Sequence, residues 1–123
     1  MLLWRGIHFL GGVKKMASME KFENVEQLFT KANIYFDGKV VSHTFHIKGE
    51  RKTMGVIFPG EYEFGTGDAE VMNMITGKVD ILLPDSSSWT TCSAGEFFNV
   101  PANSKFKMKT GAIAEYVCEY IKI

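Results

Sequence analysis

Residues 58–77 read FPGEYEFGTGDAEVMNMITG, and their punctuation decides the fold. Pro59-Gly60 stops one strand, and Gly65-Thr66-Gly67-Asp68 and Thr76-Gly77 bracket another at Glu70 to Ile75. Glu61 to Phe64 lies between them as a third short extended segment. The same rhythm continues outward. Upstream, Asp37-Gly38 joins the aromatic run Ile34-Tyr35-Phe36 to the alternating segment Lys39 to Ile47, and Thr53 to Phe58 follows. Downstream come Lys78 to Leu83, Trp89 to Cys92, Glu96 to Val100, Lys105 to Lys109 and Ile113 to Ile121. Short strands at close, regular intervals predict an all-β sandwich or barrel.

One stretch reads differently. From Ser18 to Lys31, Phe22, Val25, Leu28 and Phe29 recur at helical spacing, with Ser18 as a cap and Glu20, Glu23 and Glu26 toward the N-terminal half. The expectation is a short N-terminal helix over residues 16–32. Residues 1–15, MLLWRGIHFLGGVKK, are broken by Arg5, Gly6 and His8. They fall short of the roughly 20 apolar residues of a spanning helix and make a poor signal peptide. They are expected to be a poorly ordered extension outside the fold, with Met16 a candidate start. Residues 33–123 are then one barrel domain.

Composition sets limits. The chain has 123 residues, enough for one core and too few for separate cofactor and substrate domains. Fourteen basic residues balance fourteen acidic ones, so neither nucleic acid nor an anionic membrane is an expected partner. Cys92 and Cys118 are too few for a disulfide framework or a thiolate zinc site. They read as buried hydrophobes in a reducing compartment, and the expected location is cytoplasmic. No Walker loop, dinucleotide fingerprint, nucleophile elbow or H-E-x-x-H occurs. His43 and His46 are three apart on a strand, so they point to opposite faces.

Two blocks, Phe58 to Gly77 and Gly95 to Phe106, have the spacing of the two motifs of a cupin barrel. Glu70 and Gly77 fit the E-x6-G half of the first motif. Its histidine positions hold Phe64 and Thr66, or Glu63 and Gly65 in the longer spacing. In the second motif, Gly95, Pro101, Asn103 and Phe106 occupy the turn and histidine places. The turn skeleton is kept and the metal histidines are absent. Glu70 alone has too few companions to hold a divalent metal. The expected fold is therefore a cupin-like, metal-free barrel, and a metal-dependent cupin would need ligands such as His43 and His46 from outside the motifs.

Within that skeleton, NIYFDGKV, MGVIFPGEYEFGTGDAEVM, ITGKVDILLPD and GEFFNVPANSKFKM resemble the small cupin-type pyrimidine/purine nucleoside phosphorylases. The resemblance spans Asn33 to roughly Tyr120. It implies phosphorolysis of purine and pyrimidine nucleosides to free base and pentose-1-phosphate, with no cofactor, phosphate as co-substrate, and a homodimer. Two positions depart from the family pattern: Glu119, where members carry arginine, and Asn103, where they can carry histidine.

Strand alternation adds a lumen. If Glu70 faces inward, so do Met72 and Met74, with Tyr62, Phe64, Thr66, Phe98 and Phe106 nearby. That is an apolar, aromatic pocket with one carboxylate. Glu70 is the candidate catalytic residue, accepting ribose hydroxyls and offsetting positive charge at the anomeric carbon; a surface strand carboxylate is the alternative. Tyr62, Phe64, Thr66, Phe98 and Phe106 are candidate substrate contacts, with core packing the alternative for the phenylalanines. Arg51 and Ser104 are candidate phosphate ligands, against solvated turn residues. A non-catalytic nucleoside- or sugar-binding module would present the same pocket, and turnover with phosphate separates the two.

Overall fold

Along Ala69–Thr76 alternate side chains part to the two faces of a sheet, and both sets are buried: Met72 and Met74 on one face, Val71 and Asn73 on the other. A strand covered on both sides is central, and this one lies between two antiparallel neighbours. The computed structural model describes residues 12–15 and 19–122.

Among these residues there are twelve strands: β1 (Val13–Lys15), β2 (Gln27–Leu28), β3 (Asn33–Tyr35), β4 (Val40–Ile47), β5 (Glu50–Ile57), β6 (Gly60–Gly65), β7 (Ala69–Thr76), β8 (Lys78–Leu82), β9 (Thr90–Ser93), β10 (Glu96–Val100), β11 (Lys105–Thr110) and β12 (Ala114–Ile121). The larger sheet runs β1-β10-β7-β12-β5-β4-β2, with β3 also on β4, and the smaller runs β6-β11-β8-β9. The core is drawn from both, with Ile57, Met72, Met74, Phe98 and Tyr116 meeting Tyr62, Ile81, Cys92, Phe106 and Met108. The all-β expectation holds. The architecture is two antiparallel sheets over a shared core, and not a closed barrel among the described residues, because the sheets remain separate in hydrogen bonding.

Turn chemistry follows the sequence. Lys48 and Gly49 both take positive φ (53° and 74°) between the paired Ile47 and Glu50, which is the primed two-residue hairpin. The Asp37-Gly38 turn also forms, with Phe36, Asp37 and Gly38 all at positive φ (52°, 55° and 90°) and the Lys39 amide donating to the Phe36 carbonyl at 3.2 Å. Gly77 sits at φ 74°, and a Cβ there would stand 2.8 Å from the Ile113 carbonyl. The second fixed point of the E-x6-G spacing is thus a backbone requirement.

The N-terminal helix is absent among the described residues. The expected cap, Ser18, lies outside the described residues, and Met19 to Lys31 contain no helical turn. Asn24 has φ 61°, outside helical geometry. The amides of Glu26 and Phe29 donate to the carbonyls of His46 and Thr44, on the rim of β4, at 2.9 and 2.8 Å. Phe22 packs its ring on Phe45 with centroids 5.1 Å apart. An isolated helix this short is marginal, and an open strand edge offers the same amides ready acceptors. Val13–Lys15, expected to lie outside the fold, instead pair with β10, Val13 opposite Phe98. No helix among the described residues is long and apolar enough to cross a membrane.

Candidate active site

Glu70 opens β7, opposite Val100 of β10 and Tyr120 of β12. The pleat turns it inward with Met72 and Met74. On β12 the same alternation turns Tyr116, Cys118 and Tyr120 to that side. Between the sheets lies an inner cavity of about 110 Å³, walled by Phe64 and Phe106 of the small sheet, Met72, Tyr116 and Cys118 of the large one, and Tyr35. Beyond Glu70 the space opens into a mouth of about 560 Å³ bordered by Arg51, Asp68 and Asn103. Glu70 and Tyr120 border both spaces.

The aromatic wall is ordered. Phe64 stacks on Phe106 with centroids 5.6 Å apart and ring planes at 23°. Phe36, held at φ 52°, meets Phe64 edge-on at 5.2 Å, and Tyr35 does so at 6.4 Å. At the mouth, the Arg51 guanidinium lies 3.8 Å from the Tyr120 ring centroid. The Tyr120 hydroxyl shares a hydrogen bond with Thr53 Oγ1 at 3.1 Å.

Burial is the main force on the charges here. It raises the Glu70 carboxyl to about 7, against the opposing pull of a Cys118 hydrogen bond and the Arg51 cation, while the Asp68 charge adds to the rise. Burial first, then the Glu70 charge, holds the Cys118 thiol well above its ordinary range. Burial also keeps Tyr116 and Tyr120 as neutral phenols. The site therefore has one carboxyl that titrates near neutrality, one guanidinium beside it, and neutral hydroxyl and thiol groups. Among the described residues no group of three or more His, Cys, Asp or Glu side chains is placed to hold a metal ion.

Four of the residues singled out from sequence come together here: Glu70, Arg51, Phe64 and Phe106. The other four sit behind the walls. The buried Tyr62 donates its hydroxyl to the carbonyls of Phe58 and Pro59 at 2.7 and 3.1 Å, so it braces a turn. Phe98 is fully buried and supports Phe106 from behind, edge-on at 5.9 Å. Thr66 Oγ1 donates to the Pro101 carbonyl at 2.7 Å and accepts from the Ser104 amide at 3.0 Å. Ser104 turns its own hydroxyl to the Ala102 carbonyl at 3.1 Å. Thr66 and Ser104 thus stitch together the loops that carry Asn103 to the mouth. Glu119 points to the opposite face of the sheet, onto Lys52.

Sequence reading missed Tyr35, Asp68, Tyr116, Cys118 and Tyr120. The period of two in Tyr116, Cys118 and Tyr120 puts them on one face. The pairing that sets Tyr120 beside Glu70 joins strands some 50 residues apart and left no local trace.

The family model described as pyrimidine/purine nucleoside phosphorylase matches residues 30–120. A pyrimidine/purine nucleoside phosphorylase of Hydrogenovibrio crunogenus is 53% identical over 104 residues, covering 84% of this chain and 99% of the relative. One from Syntrophotalea carbinolica is 47% identical over 105 residues, covering 85% and 100%. Among solved structures, an Acinetobacter protein of unknown function superposes with TM-score 0.79 at 36% identity, covering 82% of this chain and 98% of its own. A cupin superfamily protein of Desulfitobacterium hafniense, 10% identical with TM-score 0.57 over 68% of this chain and 78% of its own, shares the fold alone.

Proposed function

This chain belongs to the pyrimidine/purine nucleoside phosphorylase family, and we propose that it works by holding a nucleoside across Glu70. The base enters the inner cavity, the pentose lies at Glu70, and phosphate approaches through the mouth at Arg51. The bond from the anomeric carbon to the base nitrogen breaks, the bond from that carbon to a phosphate oxygen forms, and the proton that the hydrogen phosphate gives up ends on the released base.

The observation that carries this reading is that Glu70 borders both spaces. The inner cavity is well below the about 300–1,000 Å³ of pockets that enclose a whole drug-sized ligand. A nucleoside must therefore straddle it, with a planar ring inside and the sugar outside. Ionised Glu70 then faces the carbon on which positive charge develops, and the guanidinium offers a planar fork for phosphate.

Broad acceptance of bases follows from the walls. Phe64, Phe106, Tyr35 and Met72 offer faces and a thioether rather than a donor–acceptor pattern matched to one base edge. The Tyr116 hydroxyl oxygen accepts a hydrogen bond from Ser42. Arg51 supplies the cation that phosphate needs, so the reaction is metal-independent in this reading. The same reading makes the chain a cytoplasmic pentosyl-transferring enzyme of nucleotide salvage, and a homodimer. Dimerisation is supported by the outer face of the large sheet, where Met54, Leu28 and Val25 are 46%, 55% and 40% exposed around an apolar groove. Size-exclusion chromatography with light scattering tests it, and a monomer at micromolar concentration would contradict it.

The test of function is incubation with inosine or uridine, with and without phosphate and EDTA, following free base by chromatography. Phosphate-dependent, EDTA-insensitive release of both bases is expected. Release without phosphate, or none from folded protein that binds a nucleoside, would overturn the reading.

A further inference from the structure

We infer that Tyr120 is a positioning residue for the anion-binding cation: its ring carries Arg51, so that the guanidinium meets phosphate beside Glu70 with its N–H edge free. The inference rests on the assignment of phosphate to Arg51 made above.

Arg51 is the second residue of β5, two residues past the Lys48-Gly49 turn, and is exposed. A long side chain there would ordinarily sample many rotamers. No carboxylate among the described residues lies within ion-pair distance of it; the neighbouring Lys52 takes Glu50 and Glu119. What fixes it is the Tyr120 ring, at 3.8 Å from the guanidinium carbon. A contact to the ring face uses no carboxylate, so the guanidinium N–H donors are not spent on an ion pair, and those donors bind an oxyanion bidentately. An ion pair to a carboxylate would consume the same donors.

The ring is itself held. Its hydroxyl is tied to Thr53, a buried residue of the adjacent strand β5, and its backbone lies opposite Glu70 on β7. One residue thus connects the cation, the carboxyl and the boundary between the two spaces. Glu70 and Arg51 feel each other electrostatically across this boundary.

The experiment measures the KM for inorganic phosphate and kcat for uridine phosphorolysis in wild type, Tyr120→Phe, Tyr120→Met, Arg51→Gln and the Tyr120→Met/Arg51→Gln double variant, with thermal melts as the check on folding. Tyr120→Met is expected to raise the phosphate KM roughly two- to thirtyfold, the range between exposed and desolvated cation–π contacts. Its effect on kcat is smaller. Tyr120→Phe, which retains the ring face, is expected to stay within about twofold of wild type. In the Arg51→Gln background the Tyr120→Met effect should vanish, because the two residues act as one unit. If Tyr120→Met does not fold, Tyr120→Leu takes its place in the same comparison. An unchanged phosphate KM in Arg51→Gln would overturn the phosphate assignment itself. A raised KM in Arg51→Gln beside an unchanged one in Tyr120→Met, or additive effects in the double variant, would overturn the role of Tyr120 alone.

Discussion

Lys52 Nζ lies 2.7 Å from Glu119 Oε2 on the outer face of the large sheet, with side chains only 9% and 19% exposed. The residues face each other across β5 and β12, and Asn73 of β7 donates to the second Glu119 oxygen at 3.2 Å. Removing Glu119 leaves the buried Lys52, among the described residues, only the exposed Glu50, 3.7 Å away, so losing one partner costs more than replacing both. Glu119→Ala is therefore expected to destabilise the fold by about 3 kcal/mol, and Lys52→Met/Glu119→Leu to recover most of that loss. Urea midpoints of the two variants decide it, and equal losses would count against a buried pair. Glu119 faces away from the site, onto Lys52 and Asn73, so its role lies in the sheet.

The Glu70 carboxyl makes stability depend on pH. Burial raises it from 4.5 unfolded to about 7 folded, so the folded state holds its proton more tightly. Below about 4.5 the group is neutral in both states and costs nothing extra; the penalty grows as pH rises and is complete above about 7. Glu70→Gln carries no such penalty. Its stability advantage over wild type should grow by up to about 2–3 kcal/mol between pH 5 and pH 8, read from denaturant midpoints at each pH. A constant difference would mean that Glu70 is well solvated.

The stacked pair makes a prediction about substrate alone. Phe64→Leu removes the exposed face of the stack while Phe106 stays buried behind it. Base–aromatic stacking contributes about 1–3 kcal/mol, so the nucleoside KM should rise by about tenfold, similarly for uridine and inosine. The phosphate KM should hold. A loss confined to one nucleoside would mean that Phe64 reads the base and does not merely stack on it.

Thr66 tests the loop stitching. Thr66→Val keeps the shape and loses the bonds to Pro101 and Ser104. A cost of about 1–3 kcal/mol is expected in thermal or urea unfolding, with residual activity at the temperature where the variant remains folded. Full stability would show that water replaces both bonds.

The all-β class and the succession of strands along Glu61 to Ile121 were legible because turn residues and alternation are local signals. Met72 and Met74 followed from the pleat once the motif position set Glu70 inward. The N-terminal segment misled because Phe22, Val25, Leu28 and Phe29 fit a helical stripe equally well as a strap. Only the position of the β4 edge, which accepts the Glu26 and Phe29 amides, decides between them. Tyr62, Thr66, Phe98 and Ser104 have the right chemistry in the right motif, yet their groups are used by turns and core. Tyr120 was invisible for the opposite reason, since its partners Arg51, Thr53 and Glu70 are all distant in sequence.

The central claim is that Glu70, ionised, faces the carbon at which the glycosidic bond breaks. Its most direct test is kcat/KM for uridine phosphorolysis by wild type and Glu70→Gln, between about pH 6 and 8.5. Wild-type kcat/KM, which reports the free enzyme, is expected to rise through about pH 7, following loss of the Glu70 proton. Glu70→Gln should be slower by about 10²-fold or more and lack that rise. A Glu70→Gln enzyme with the wild-type rate and the wild-type pH profile would contradict the account.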